Sequence, residues 1–191
     1  MEADFSIELG KDDPVLDFPW TDPAGKLAYF DLKRQPELLA KIEEAEEYPE
    51  LAELLKSVNS PRSVVESAKC DVWETAELRV EEEIFNATHK FASYVDLVFS
   101  DSAWQCSLPR HEEFAKALTD LLRRVPEMSA GVETCIRRCF FDDEAKEVSE
   151  GCYFTVYLNG YGNDVVLARR NWGIATKLAA NAIAQLSAKA V

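Results

Sequence analysis

Residues 151–160 read GCYFTVYLNG, and residues 91–100 read FASYVDLVFS. In the first stretch Cys152, Phe154, Val156 and Leu158 share one parity, while Tyr153, Thr155, Tyr157 and Asn159 share the other. In the second, Phe91, Ser93, Val95, Leu97 and Phe99 alternate with Ala92, Tyr94, Asp96 and Val98. Successive side chains of a strand point to opposite faces, so a period of two marks two half-buried strands. Each strand has an apolar row fit for a core and a second row that mixes tyrosine with polar groups.

The flanking segments extend the pattern. Residues 71–80 alternate as well, with Val72, Ala76, Leu78 and Val80 against Trp73, Thr75, Glu77 and Arg79. Residues 131–141 form a further strand whose two parities are both mixed; its expected share of the polar face is Glu133, Cys135, Arg137 and Cys139. Between the strand pairs, Phe114, Leu118, Leu121, Leu122 and Val125 recur at helical spacing from about Pro109 until Pro126 ends the run. A final helix spans about Asp164 to Ser187, with a narrow polar stripe at Lys177, Asn181 and Gln185, so it packs on more than one side. The order is strand, strand, helix, repeated once. Two ββα units predict an α+β fold: a two-layer sandwich with a mainly antiparallel sheet and the helices on one face.

Two further regions precede this core, which covers 61–191. Residues 1–35 read as an extended N-terminal arm, because Pro14, Pro19, Pro23 and Gly25 interrupt any helix. Phe5, Ile7, Leu9, Val15, Leu16, Phe18, Trp20, Tyr29 and Phe30 are too apolar for a solvated tail, so the arm packs on the body or on a second copy of the chain. Residues 36–60 read as a short helical pair that restarts at Pro49, with Leu51, Leu54, Leu55 and Val58 on its inner side and a run of glutamates outside. All three regions belong to one domain.

Charge and cysteine content bound the function. The formal net charge is −14, and residues 1–60 alone hold 15 acids against 6 bases. Such a field repels phosphate backbones and anionic lipid, which argues against nucleic acid and membrane surfaces and leaves room for a basic protein partner. No apolar run approaches a membrane span, and the first residues lack the pattern of a secretory signal. Five cysteines without a Cys-x-x-Cys pair read as reduced, mostly buried groups. The expected setting is the cytoplasm.

No assembled catalytic motif is present, and the spacing of His89 and His111 matches no metal-binding helix motif, so no metal or cofactor is expected. His111 falls in the first turn of a predicted helix, a common place for a solvated histidine. Gly160-Tyr161-Gly162-Asn163-Asp164 lacks the third glycine of a dinucleotide loop and reads as a turn ending in a helix cap. The candidate binding face is the polar parity of the sheet: Trp73, Tyr94, Asp96, Arg137, Tyr153 and Tyr157, with His89 near its edge. Phe18 and Trp20 are the expected arm contacts. The leading expectation is a non-enzymatic binding or interaction module and a homodimer; in a sharper form of this reading the arm crosses to the partner subunit. The alternative is a small-molecule-binding protein or small enzyme with its pocket on the open face.

Overall fold

The computed structural model describes residues 1–76, 85–142 and 148–190. Strands β1 (Glu2–Glu8) and β2 (Val15–Phe18) come from the arm, followed by a 3-10 turn over Pro36–Lys41 and helices α1 (Glu43–Glu47) and α2 (Pro49–Val58). The core continues with β3 (Val65–Ala76), β4 (His89–Phe99), α3 (Ser102–Gln105), α4 (Leu108–Leu122), β5 (Ala130–Phe141), β6 (Ser149–Gly162) and α5 (Val165–Ala190). The α+β class and the two ββα units stand. Leu78 and Val80, and with them Glu77 and Arg79, lie outside the described residues.

The sheet has six strands in the order β1-β5-β6-β4-β3, with β2 also on β5. Pairings among β3, β4, β5 and β6 are antiparallel. The second strand of each ββα unit lies at the centre, so the order β5-β6-β4-β3 is palindromic about the β4·β6 pair. That is the arrangement expected of two like units back to back. β1 and β2 instead run parallel to β5, end to end along its outer edge. The arm is therefore an edge of the sheet, not merely a segment laid upon it.

One face is the main core. Phe91, Val95, Leu97, Phe99, Phe154, Val156 and Leu158 pack there with Leu118, Leu122, Trp172 and Ile183 of α4 and α5. Burial of such side chains contributes about 1.5–3 kcal/mol each, which makes this face the main stabilising term. Trp172 is fully buried, and its Nε1 donates to Ser93 Oγ at 2.8 Å, so the indole leaves no polar group unmet. His111 is not solvated: it is fully buried between Phe99 and Phe154, with Nδ1 2.9 Å from the Ser107 carbonyl and Nε2 3.0 Å from the Cys152 carbonyl.

The second face carries a smaller core at one end. Leu16, Val98, Cys139, Phe141 and Tyr153 are buried together, with Phe18 and Trp20 packed against them. Phe18 meets Tyr29 and Phe141, and Trp20 Nε1 donates to the Ala68 carbonyl at 2.6 Å. Lys33 Nζ donates to the Ser63 and Val65 carbonyls and ties the end of the arm to the start of β3. The arm's Leu16, Phe18 and Trp20 thus pack within the same chain, while Ile7 and Val15 stay 44% and 42% exposed.

Gly160 and Gly162 belong to β6, not to a loop. A Cβ at Gly160 would collide with the Trp172 backbone nitrogen and the Ala168 carbonyl of α5. Asp164 then caps the helix, its Oδ1 accepting from Leu167 N at 2.8 Å. Gly160→Ala is expected to lift α5 off the sheet and lower stability by about 3 kcal/mol, read from urea unfolding. An unchanged midpoint would contradict the close approach.

Candidate functional site

On the second face, away from the arm's small core, register brings the polar parity together. Tyr94 on β4 lies opposite Tyr157 on β6, and Asp96 lies between Lys69 of β3 and Thr155 of β6. Tyr153 is the cross-strand partner of Arg137, which in turn faces Glu8 of β1. The central pair has its apolar parity locked under the helices, so these residues have only this face to occupy.

A hydrogen-bonded chain runs across the strands. Glu8 Oε2 accepts from Arg137 Nε at 2.8 Å and lies 2.7 Å from its Nη2. Arg137 Nη1 donates to Thr155 Oγ1 at 3.0 Å and to the Tyr157 hydroxyl at 3.1 Å. Thr155 Oγ1 donates onward to Asp96 Oδ1 at 2.7 Å. Arg137 is 8% exposed and Asp96 only 6% exposed, so this is a polar network held largely out of water. The two-pronged contact with Glu8 is what allows a guanidinium to be buried here.

A cavity of about 210 Å³ opens onto this network. Its floor includes Asp96, Arg137, Thr155 and the three tyrosines Tyr94, Tyr153 and Tyr157, and Pro14, Val15 and Leu16 of the arm form an apolar wall. Lys69 completes the lining, its ammonium turned toward the Trp20 ring at 5.2 Å from the centroid. Trp73 stands behind Tyr94, outside the lining, with the ring centroids 6.2 Å apart. The Tyr94 and Tyr157 rings are also 6.2 Å apart, edge to face. A larger recess of about 470 Å³ lies on the far side of Lys69 and Tyr94, along the edge of β3, between the arm and α1. Glu43 and Asp71 on its rim are exposed, and none of the charged residues lining it is buried.

Six of the seven residues expected to form the binding face are therefore on it: Trp73, Tyr94, Asp96, Arg137, Tyr153 and Tyr157. His89 is not. It shares the parity of Phe91, sits at the end of the sheet opposite Gly162, and has Nδ1 3.0 Å from Thr88 Oγ1. Sequence reasoning missed Glu8 and Lys69. The signal for Glu8 was present, since Asp4, Ser6 and Glu8 alternate with Ala3, Phe5 and Ile7. Lys69 was obscured by a bulge between Ser67 and Lys69 that breaks the alternation of β3.

The electrostatics follow from burial. Desolvation raises the Asp96 carboxyl from its ordinary 3.8 to about 6, although the Thr155 hydrogen bond and the charges of Lys69 and Arg137 oppose the rise. Burial together with the Asp96 charge raises the Tyr153 hydroxyl to about 12, and the same causes raise Tyr94. Burial also raises the Cys135 thiol to about 11, so Arg137 does not make it a ready nucleophile. Among the described residues, no three His, Cys, Asp or Glu side chains are placed to hold a metal ion, and no helix is long and apolar enough to cross a membrane. Compared with protein-family models, curated proteins and solved structures, the chain matches none.

Asp96 sets a pH dependence whose sign is fixed. Its folded-state pKa lies above the unfolded value, so the folded state holds the extra proton between about pH 4 and 6. The stabilisation from that proton is complete below pH 4 and is lost as pH rises through 6. Relative to Asp96→Asn, the wild type should lose on the order of 3 kcal/mol between pH 4 and 7. Denaturant titrations of both proteins across that range measure the difference; parallel pH profiles would show that Asp96 titrates normally.

Proposed function

We propose that the protein is a binding module for a small molecule, seated in the cavity between Asp96, Arg137 and the three tyrosines. One observation supports this above the rest. Asp96 is almost wholly buried, one of its oxygens is held by Thr155, and among the described residues no group bonds the other. A carboxylate serving only the fold would be expected to have both oxygens bonded within the chain. The second oxygen of Asp96 is not among the sealed side-chain atoms without a partner, so solvent or a ligand reaches it. Asp96 lines a cavity instead.

Aromatic walls with a few fixed polar groups are the usual composition of small-molecule sites. The network behind Asp96 is rigid, since Glu8, Arg137 and Thr155 hold one another in place across three strands. Rigid support favours binding because little is left to order when a ligand arrives. No chemical step is assigned to the site. The arm contributes Pro14, Val15 and Leu16 to the cavity wall of its own chain, which gives it a use that does not call on a second subunit.

The ring signals of Tyr94, Tyr153 and Tyr157 report on the cavity in solution. A chemically mixed panel of small compounds should contain members that shift these signals in NMR spectra while leaving Tyr48, on the helical side, unmoved. A panel in which no compound moves the three tyrosines would overturn the reading.

A further inference from the structure

We propose that the ligand is an organic cation: a small amine, protonated at neutral pH, with an apolar body. The inference rests on the small-molecule reading of the cavity and narrows it to one chemistry. Asp96 is its counter-ion, Tyr94 the ring against which the ammonium lies, and the Pro14-Val15-Leu16 wall the seat of the apolar part.

The charges facing the cavity decide its sign. Arg137 points four of its five N–H groups at Glu8, Thr155 and Tyr157, so its positive charge is matched by Glu8 and most of its donors are engaged. Lys69 lies beside Asp96 in register but forms no ion pair with it; its ammonium lies over Trp20 instead. Among the described residues, Asp96 is the only carboxylate lining the cavity and has no ion pair, while the Lys69 ammonium is held over Trp20. An anionic ligand would have to approach that carboxylate with Lys69 alone to attract it. A cationic ligand meets a carboxylate in a largely buried setting, where attraction is stronger than in bulk water.

The surroundings agree with a cation. Tyr94 is half-buried and borders the cavity, and a ring face within about 6 Å of a cation adds about 0.5–2 kcal/mol of attraction. One face of Tyr157 is already taken by the Arg137 guanidinium, 5.6 Å from the ring centroid, so Tyr94 is the available platform. Asp71 and Glu133, cross-strand partners of Tyr94 and Tyr157, are exposed beside the site and add negative potential at its mouth. The arm side is different in kind. Pro14, Val15 and Leu16 offer only hydrocarbon side chains, and Val15 is 42% exposed, available for cover by an apolar group.

Three probes of equal shape separate the possibilities: benzylammonium, benzyl alcohol and benzoate, each titrated calorimetrically into the full chain at pH 7.5. Benzylammonium is expected to bind at least tenfold more tightly than benzyl alcohol, with benzoate weakest. Asp96→Asn keeps the acceptor for Thr155 and should remove the preference for the amine over the alcohol. Tyr94→Leu should weaken benzylammonium several-fold and leave the fold intact, as near-ultraviolet circular dichroism would show for both variants. Benzylammonium affinity should also fall as pH drops below 6, when Asp96 takes up a proton. A preference for benzoate or benzyl alcohol, or an amine preference that survives Asp96→Asn, would overturn the cation assignment and leave the small-molecule site standing. Absence of binding by all three, with no shift of the tyrosine signals, would overturn both.

Discussion

At Gly160 the backbone of α5 rests directly against β6, closer than any side chain would allow. This contact draws Trp172 down between Phe91 and the centre of the sheet, where its indole bonds Ser93. With α5 so placed, the apolar parity of β4 and β6 is fully covered, and the opposite parity has no choice of face. Tyr94, Asp96, Thr155 and Tyr157 are gathered on the second face because the first is closed. The candidate site is thus a by-product of packing geometry on the other side of a layer one residue thick.

How much of this was legible in the sequence depended on whether a segment keeps a regular period. The strands β4 and β6 alternate without interruption, and their faces could be assigned residue by residue. The third strand was ambiguous because Arg137 and Arg138 stand on opposite parities, yet Glu133, Cys135, Arg137 and Cys139 do share the expected face. β3 begins at Val65, well before its alternation becomes readable, since the bulge at Ser67 shifts the pattern. The arm was the larger omission. Its turns were plain from proline and glycine, but a parallel partner far along the chain leaves no local mark, so pairing with β5 could not be read.

The same limit governed the site. Six residues of the face follow from parity alone, because parity is a local property. Glu8 comes from a strand whose neighbour was unknown, and with it the reason Arg137 can be buried. His89 was drawn toward the site by nearness in sequence, but one step of register puts it with Phe91 on the helical side. His111 was hidden for a different reason: a histidine in a first helical turn is exposed in many folds, and only the rings of Phe99 and Phe154 closing on it make it part of the core.

The parallel edge has a consequence for how the chain is made. Glu8 and Arg137 are 129 residues apart, so β1 leaves the ribosome long before the strand it must join. At translation speeds of about 5–20 residues per second, that interval is roughly 6–26 s. During it Phe5 and Ile7 have no sheet to rest on, and Arg137 has no counter-charge when it first emerges. Only the Glu8–Arg137 link of the polar network depends on the arm; its Asp96, Thr155 and Tyr157 contacts lie within the two ββα units. Until β5 emerges, the apolar side chains of β1 stay open to water on the nascent chain, and the edge they will complete does not yet exist.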